Sequence, residues 1–351
     1  MSPPATSAQS LRARLRARAL AVLTGLLGPG TPCALVDFPH HANVGDSAIW
    51  LGERALLRRA GVPVVYTCDL TSFSAEDLAG RLPTGTILIH GGGNLGDLWP
   101  AHQEFRERII GTFPRHRIIQ LPQSIQFSRR ASLDRARAVL DAHPDLTICV
   151  RDRRSLATAR EAFRARSVLC PDMAFGIEEL PGALGPATYD IVWQTRLDHE
   201  SAGQPLPVLD RTVLDRNVLI TDWAAGQGAD PRWTADERAA ERAYQAAAGD
   251  PGARAAASDR LAELQLSRGC RLLASGLAVI TDRLHGHLLS LLLGLPHVHL
   301  ADRYGKVASS CETWTSGWPA ARSARTPDEA LALALGLLAA GSARRLAVND
   351  G

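Results

Sequence analysis

Four short segments of the 351-residue chain concentrate acids, imidazoles, guanidinium groups and glycines directly behind β-like runs. The first runs from Asp37 through His40, His41 and Asn43 to Asp46. Asn43 or Asp46 suits the cap of the apolar helix that follows, whereas Asp46 with His40 or His41 suits proton exchange with a hydroxyl-bearing ligand. The second is His90-Gly91-Gly92-Gly93-Asn94, whose glycines allow a sharp turn and let backbone N–H groups face an anion or a sugar. It lacks both GK[ST] and GxGxxG, so nucleotide binding does not follow from it. The third, Arg151-Asp152-Arg153-Arg154-Ser155, reads at Arg153 and Arg154 as a solvated helix start, while Arg151 stands immediately at a strand end. The fourth, Thr281-Asp-Arg283-Leu-His285-Gly-His287, crosses a strand-to-helix junction. A helix N-terminus there adds positive potential for phosphate or carboxylate, and Lys306, after the next strand, brings a third cation to that end of the sheet.

The elements that must position these residues show as an alternation of short β-rich runs and Ala/Leu/Arg-rich helical segments. CALVDF (33–38), PVVYT (63–67), TILIH (86–90), RIIQL (117–121), TICV (147–150) and SVLC (167–170) are spaced for crossover helices, the signature of a parallel, doubly wound sheet. A Pro/Gly-rich stretch at 180–188 marks a hinge. Beyond it, YDIVWQT (189–195), NVLITDW (217–223), LAVITD (277–282) and PHVHL (296–300) predict a second sheet, and Pro327-Asp328-Glu329 opens a last helix. The Ala/Arg-rich region 230–267 reads as solvent-facing helices. The expected division is an N-terminal domain over 1–180, a C-terminal domain over 186–325 and a terminal helix over 326–351, an α/β chain of two Rossmann-like domains.

Thirty-nine basic against 36 acidic residues leave a net charge of only +3, so any basic site is local and no nucleic-acid partner is expected. Six scattered cysteines without a CxxC pair suggest reduced thiols in the cytoplasm and neither a disulfide framework nor a structural zinc site. The HxH pairs at His285/His287 and His297/His299 lack a third ligand in sequence, so no metal is expected. Arg12 to Arg18 before an apolar stretch imitates a secretory signal, but Leu11, Leu15 and Leu23 fall on one helical face, so a folded helix is expected instead. No apolar run is long enough to span a membrane.

At these residues the chain resembles the polysaccharide pyruvyl transferases. The ordered series is NxGD at Asn43 to Asp46, HGGGN at His90 to Asn94, LPQSI at Leu121 to Ile125, the Arg151 segment, CPDMAF at Cys170 to Phe175, TDRLHGH at Thr281 to His287, and Lys306. The resemblance implies two Rossmann-like domains facing across a cleft, as in GT-B glycosyltransferases. It also implies phosphoenolpyruvate as a co-substrate without a cofactor, and a carbohydrate acceptor, lipid-linked oligosaccharides among the candidates. By carry-over Arg151, His285 and Lys306 contact phosphoenolpyruvate and Arg283 lies beside them. His285, with Asp46 on the hydroxyl side, is expected to handle protons. Asn43, Gly91, Gly92, Gly93, Asn94, Gln123 and Ser124 are expected at the acceptor or in its loops. A nucleotide-sugar glycosyltransferase and a non-catalytic carbohydrate-binding protein are the competing readings.

Overall fold

The computed structural model describes residues 8–180, 184–198, 200–204, 216–223, 234–247 and 249–349. Two compact units divide it: residues 14–178 with 231–265, and residues 1–13 with 179–230 and 266–351. The sequence boundary near 180 thus lies next to a unit boundary. Region 231–265 differs from expectation by joining the first unit, and the terminal helix belongs to the second unit rather than standing apart.

The first unit is built on a seven-stranded, wholly parallel sheet: β1 (Cys33–Val36), β2 (Val64–Cys68), β3 (Thr86–Ile89), β4 (Gly92–Gly96), β5 (Arg117–Gln126), β6 (Leu146–Val150) and β7 (Arg166–Leu169). The order is β2-β1-β3-β5-β6-β7, and β4 pairs with the far half of the long strand β5. Every residue of β1, β3 and β6 is buried, as expected of strands covered on both faces. The helices are α1 (Ala8–Leu26), α2 (Val44–Arg59), α3 (Ala75–Arg81), α4 (Pro100–Thr112), α5 (Arg130–Leu140) and α6 (Arg153–Ala162). Leu11, Leu15 and Leu23, the expected apolar stripe of α1, are all buried, and Ala19, Leu23 and Leu26 share a core cluster with Cys33 and Leu35 of β1.

Region 230–267 holds helix α7 (Ala235–Ala246) and most of α8 (Pro251–Ala274), but they are not simply solvent-facing. Ala240, Tyr244, Leu261 and Ala262 are buried in the same cluster as β1 and α2, because alanines and one tyrosine suffice for a narrow apolar stripe. Thr234 and Glu237 close a capping box at the start of α7.

The second unit holds a five-stranded parallel sheet of β8 (Tyr189–Gln194), β9 (Val218–Thr221), β10 (Gly276–Thr281), β11 (His297–Leu300) and β12 (Ala321–Ala324), ordered β12-β11-β10-β8-β9. Helices α9 (Leu284–Leu293), α10 (Lys306–Ser310) and α11 (Pro327–Asn349) follow its strands. The strands β4 and β12 were not expected from sequence.

Both sheets therefore repeat the order 2-1-3 at their heart. The strand order switches sides between β1 and β3 in one and between β8 and β10 in the other, and the crevice beyond the strand carboxyl ends at such a switch point is where ligands of open α/β sheets bind.

Candidate active site

At the first crevice, β1 is followed by Asp37, which takes a left-handed backbone (φ 72°) that a residue with a Cβ rarely adopts. Asp37 is fully buried; His102 bonds one carboxylate oxygen at 2.9 Å, and the other, Oδ2, is buried without a hydrogen-bond partner among the described residues. Asp37 opens the first segment named from sequence but had no role assigned to it, since its signal is conformational and therefore invisible in one dimension. Asn43 does cap α2, accepting from the Gly45 N–H at 3.2 Å, and its amide donates to Asp46 at 2.8 Å. His41 Nε2 lies 3.6 Å from the same Asp46 carboxylate. His40 has other company: it bonds Glu241 of α7 at 2.9 Å and approaches Asp69 at 3.4 Å. Burial opposes its charge, but these two acids outweigh burial and raise its pKa.

The glycine segment is less a loop than a bulged continuation of β3. Gly91 donates its N–H to buried Glu53 at 2.8 Å, and Glu53 also holds His90 Nδ1 at 2.7 Å. Gly92 opens β4 at φ 125°, a conformation that favours glycine, and a Cβ there would sit 3.4 Å from Asp46 Oδ1. Asn94 donates its backbone N–H to Gln123 at 3.0 Å, while its side-chain oxygen receives Gln123 at 2.8 Å and Arg106 at 2.6 Å. The Gly91 and Asn94 N–H groups are thus engaged within the protein. Arg106, fully buried on α4 and bonded also to Gln120 and Gln103, anchors this segment. Burial brings its pKa down to about 10. No spacing in the sequence marks it.

Along the sheet, Arg151 follows β6 and is buried, its Nε bonded to Ser124 at 2.9 Å and Nη1 to Asp172 at 2.9 Å. Asp172 belongs to the CPDMAF segment and caps a short 3₁₀ turn. Ser124 also donates to Asp152, the cap of α6, at 3.0 Å. Arg153 and Arg154 are exposed, as expected of a solvated helix start.

In the second unit, Arg283 and His285 follow β10 at the β8/β10 crevice, and Lys306 opens α10 after β11. His285 and Arg283 are buried. The cations do not stand alone. Arg283 binds Asp222, behind β9, through Nε at 2.7 Å and Nη2 at 2.6 Å, and reaches Asp198 at 3.2 Å. Lys306 Nζ meets Glu200 at 2.7 Å, and Glu200 lies 3.3 Å from Arg196. Asp282 accepts the Arg196 backbone N–H at 2.9 Å, yet burial pushes its carboxyl pKa up to about 6. Asp198, Glu200 and Asp222 carry no sequence signal because the cations they pair with come from other loops, whereas Arg196, a cation just behind β8, was overlooked at its strand end. The result is a buried lattice of alternating charge that can exchange carboxylate partners for an anionic ligand.

α9 can carry His285 close to the sheet because Gly286 has no side chain: a Cβ there would collide with Gln194 Oε1 and Thr281 Oγ1, which bond each other at 2.7 Å. Among the described residues no helix is long and apolar enough to cross a membrane.

Comparison with known proteins gives these sites a context. Residues 43–304 match the family model described as polysaccharide pyruvyl transferase. Pyruvyl transferase 1 of Schizosaccharomyces pombe is 33% identical over 304 residues, covering 81% of this chain and 70% of its own. The Bacillus subtilis protein EpsO is 32% identical over 288 residues, covering 82% and 86%. The crystal structure of an uncharacterised Klebsiella pneumoniae protein superposes with a TM-score of 0.58 at 16% identity, over 89% of this chain and 99% of that one, which speaks for the fold alone. The ordered motifs, the strand ends that carry them and these relatives agree: the chain belongs to the polysaccharide pyruvyl transferase family.

Proposed function

We propose that the protein transfers the pyruvyl group of phosphoenolpyruvate to two hydroxyls of one sugar in a polysaccharide or glycoconjugate precursor, forming a ketal. The observation that carries this reading is the placement of Arg283, His285 and Lys306 behind β10 and β11, at the crevice where an open parallel sheet binds ligands. Phosphoenolpyruvate presents a phosphate and a carboxylate close together. Arginine suits paired recognition of either group, and lysine acts as a compact point charge. In the proposal Lys306, Arg283 and Arg151 contact the donor, and the two Rossmann-like units are read as GT-B-like.

The chemistry balances without a redox partner. His285 delivers a proton to the methylene carbon, the adjacent carbon becomes electrophilic, and a sugar hydroxyl adds to it. The C–O bond to phosphate then breaks, and the second hydroxyl closes the ring. Of the two hydroxyl protons lost, one ends in the new methyl group and one on phosphate. Asp46, beside His41 and Asn43, is assigned to the hydroxyl side, where a carboxylate accepts the proton of the attacking oxygen. Asn94, Gln123 and Ser124 with Gly91, Gly92 and Gly93 shape the acceptor side; their bonds within the protein suit them to hold that surface rigid.

Titration calorimetry tests the donor assignment. Phosphoenolpyruvate is expected to bind, with Lys306→Ala and Arg151→Ala each weakening it by ~1.5–3 kcal/mol. Glu200 keeps Arg196 when Lys306 is removed, so the melting temperature of Lys306→Ala should change little. Tight binding of nucleoside diphosphates, with none of phosphoenolpyruvate, would instead identify a nucleotide-sugar enzyme.

A further inference from the structure

Two residues beyond His285, His287 meets side chains that are distant in sequence: His299 from β11 and Cys311 just after α10. Cys311 Sγ lies 3.4 Å from His287 Nε2 and 3.5 Å from His299 Nε2, and one donor atom from each residue falls within 4.8 Å of the other two. With Zn–N near 2.05 Å and Zn–S near 2.3 Å, a tetrahedral zinc holds neighbouring nitrogen and sulfur donors about 3.6 Å apart. Both sulfur–nitrogen edges of the cluster match that separation.

The hydrogen bonds behind the cluster set His287 in a ligating form. His297 Nδ1 is 2.9 Å from the Leu295 carbonyl, which can only accept, so this nitrogen carries the proton. His297 Nε2 is then a lone pair, and His287 Nδ1, 2.8 Å away, must donate to it. His287 Nε2, the nitrogen nearest Cys311, is therefore left with its lone pair. A histidine whose far nitrogen is fixed by such a relay is how proteins orient metal-bound imidazoles. The Thr315 hydroxyl donates to that lone pair at 2.9 Å, a bond that a metal ion on Nε2 replaces. Cys311 is half-buried, unlike the other five cysteines, which gives an ion a way in.

We propose that His287, His299 and Cys311 form a zinc site, with water as the fourth ligand. The site ties together α9, β11 and the segment after α10, the elements that carry His285 and Lys306. It does not depend on what reaction those residues perform. Two imidazoles and a thiolate favour zinc over magnesium or calcium, which prefer oxygen donors.

The test is metal analysis of the full chain after dialysis against excess zinc and then against zinc-free buffer, with cobalt(II) exchanged for zinc in a parallel sample. The expected result is one zinc per chain, together with a thiolate-to-cobalt charge-transfer band in the near ultraviolet. In Cys311→Ser that band should vanish and zinc should fall well below stoichiometry, whereas Cys270→Ser should retain both. Absence of bound zinc in the wild-type chain would overturn the proposal. So would zinc binding without the charge-transfer band, a result that needs no variant to fold.

Discussion

Asp282 shows how far a neighbouring residue can depart from the role its sequence position suggests. It stands beside Arg283, yet burial outweighs Arg283 and Arg196 and its carboxyl is pushed up to about 6 from 3.8. Between those two values the folded chain binds more protons than the unfolded one, so stability falls as pH rises through that window, and the whole penalty is present above pH 6. Asp282→Asn keeps one oxygen for the Arg196 N–H and has no charge to bury. The variant should therefore gain stability relative to wild type between pH 4 and pH 7, by up to about 3 kcal/mol. Urea unfolding at both pH values measures this, and a constant difference between the two proteins would show that Asp282 titrates normally. Arg283, Lys306 and Arg151 were legible as residues because cations at strand ends stand out. Their partners Asp222, Glu200 and Asp172 were not, since each approaches from a different loop and only folding makes them neighbours.

Among the elements, most strands rich in Val, Ile and Leu were legible to within a residue or two, because burial on both faces leaves an apolar run that little else imitates, although β5 runs five residues past its expected end at Leu121. β4 was hidden by its glycines: Gly92-Gly93-Asn94 reads as a loop, and only pairing with the far half of β5 makes it a strand. The helices of region 230–267 were legible as helices, but alanine-rich faces such as that of α7 conceal how much they bury. Gly286 is the element-scale counterpart of these misreadings, a glycine inside a helix that looks like a weakness and is a packing requirement. Gly286→Ala must push α9 away from Gln194 and Thr281, and is expected to destabilise the chain by about 1–3 kcal/mol although alanine favours helices. A denaturation midpoint equal to or above wild type would mean that α9 has room to shift.

At the scale of the whole molecule, the same strand order appears twice, and each time the candidate residues collect at the carboxyl ends around the point where the strand order switches sides. That placement was legible from sequence because it depends only on locating strand ends. The division of labour was less so, since residues 231–265 return to the first unit after the chain has begun the second. In the proposed reaction this family member moves a pyruvyl group from phosphoenolpyruvate with His285 as the proton donor. A single-turnover experiment with phosphoenolpyruvate and a panel of sugar acceptors, following phosphate release and acceptor mass together, tests it most directly. The expected result is acceptor-dependent phosphate release, an acceptor heavier by one pyruvic acid less one water, and a chemical step ~10²–10⁴-fold slower in His285→Gln with donor affinity little changed. Phosphate release without a heavier acceptor, or a chemical step at the wild-type rate in His285→Gln, would contradict it.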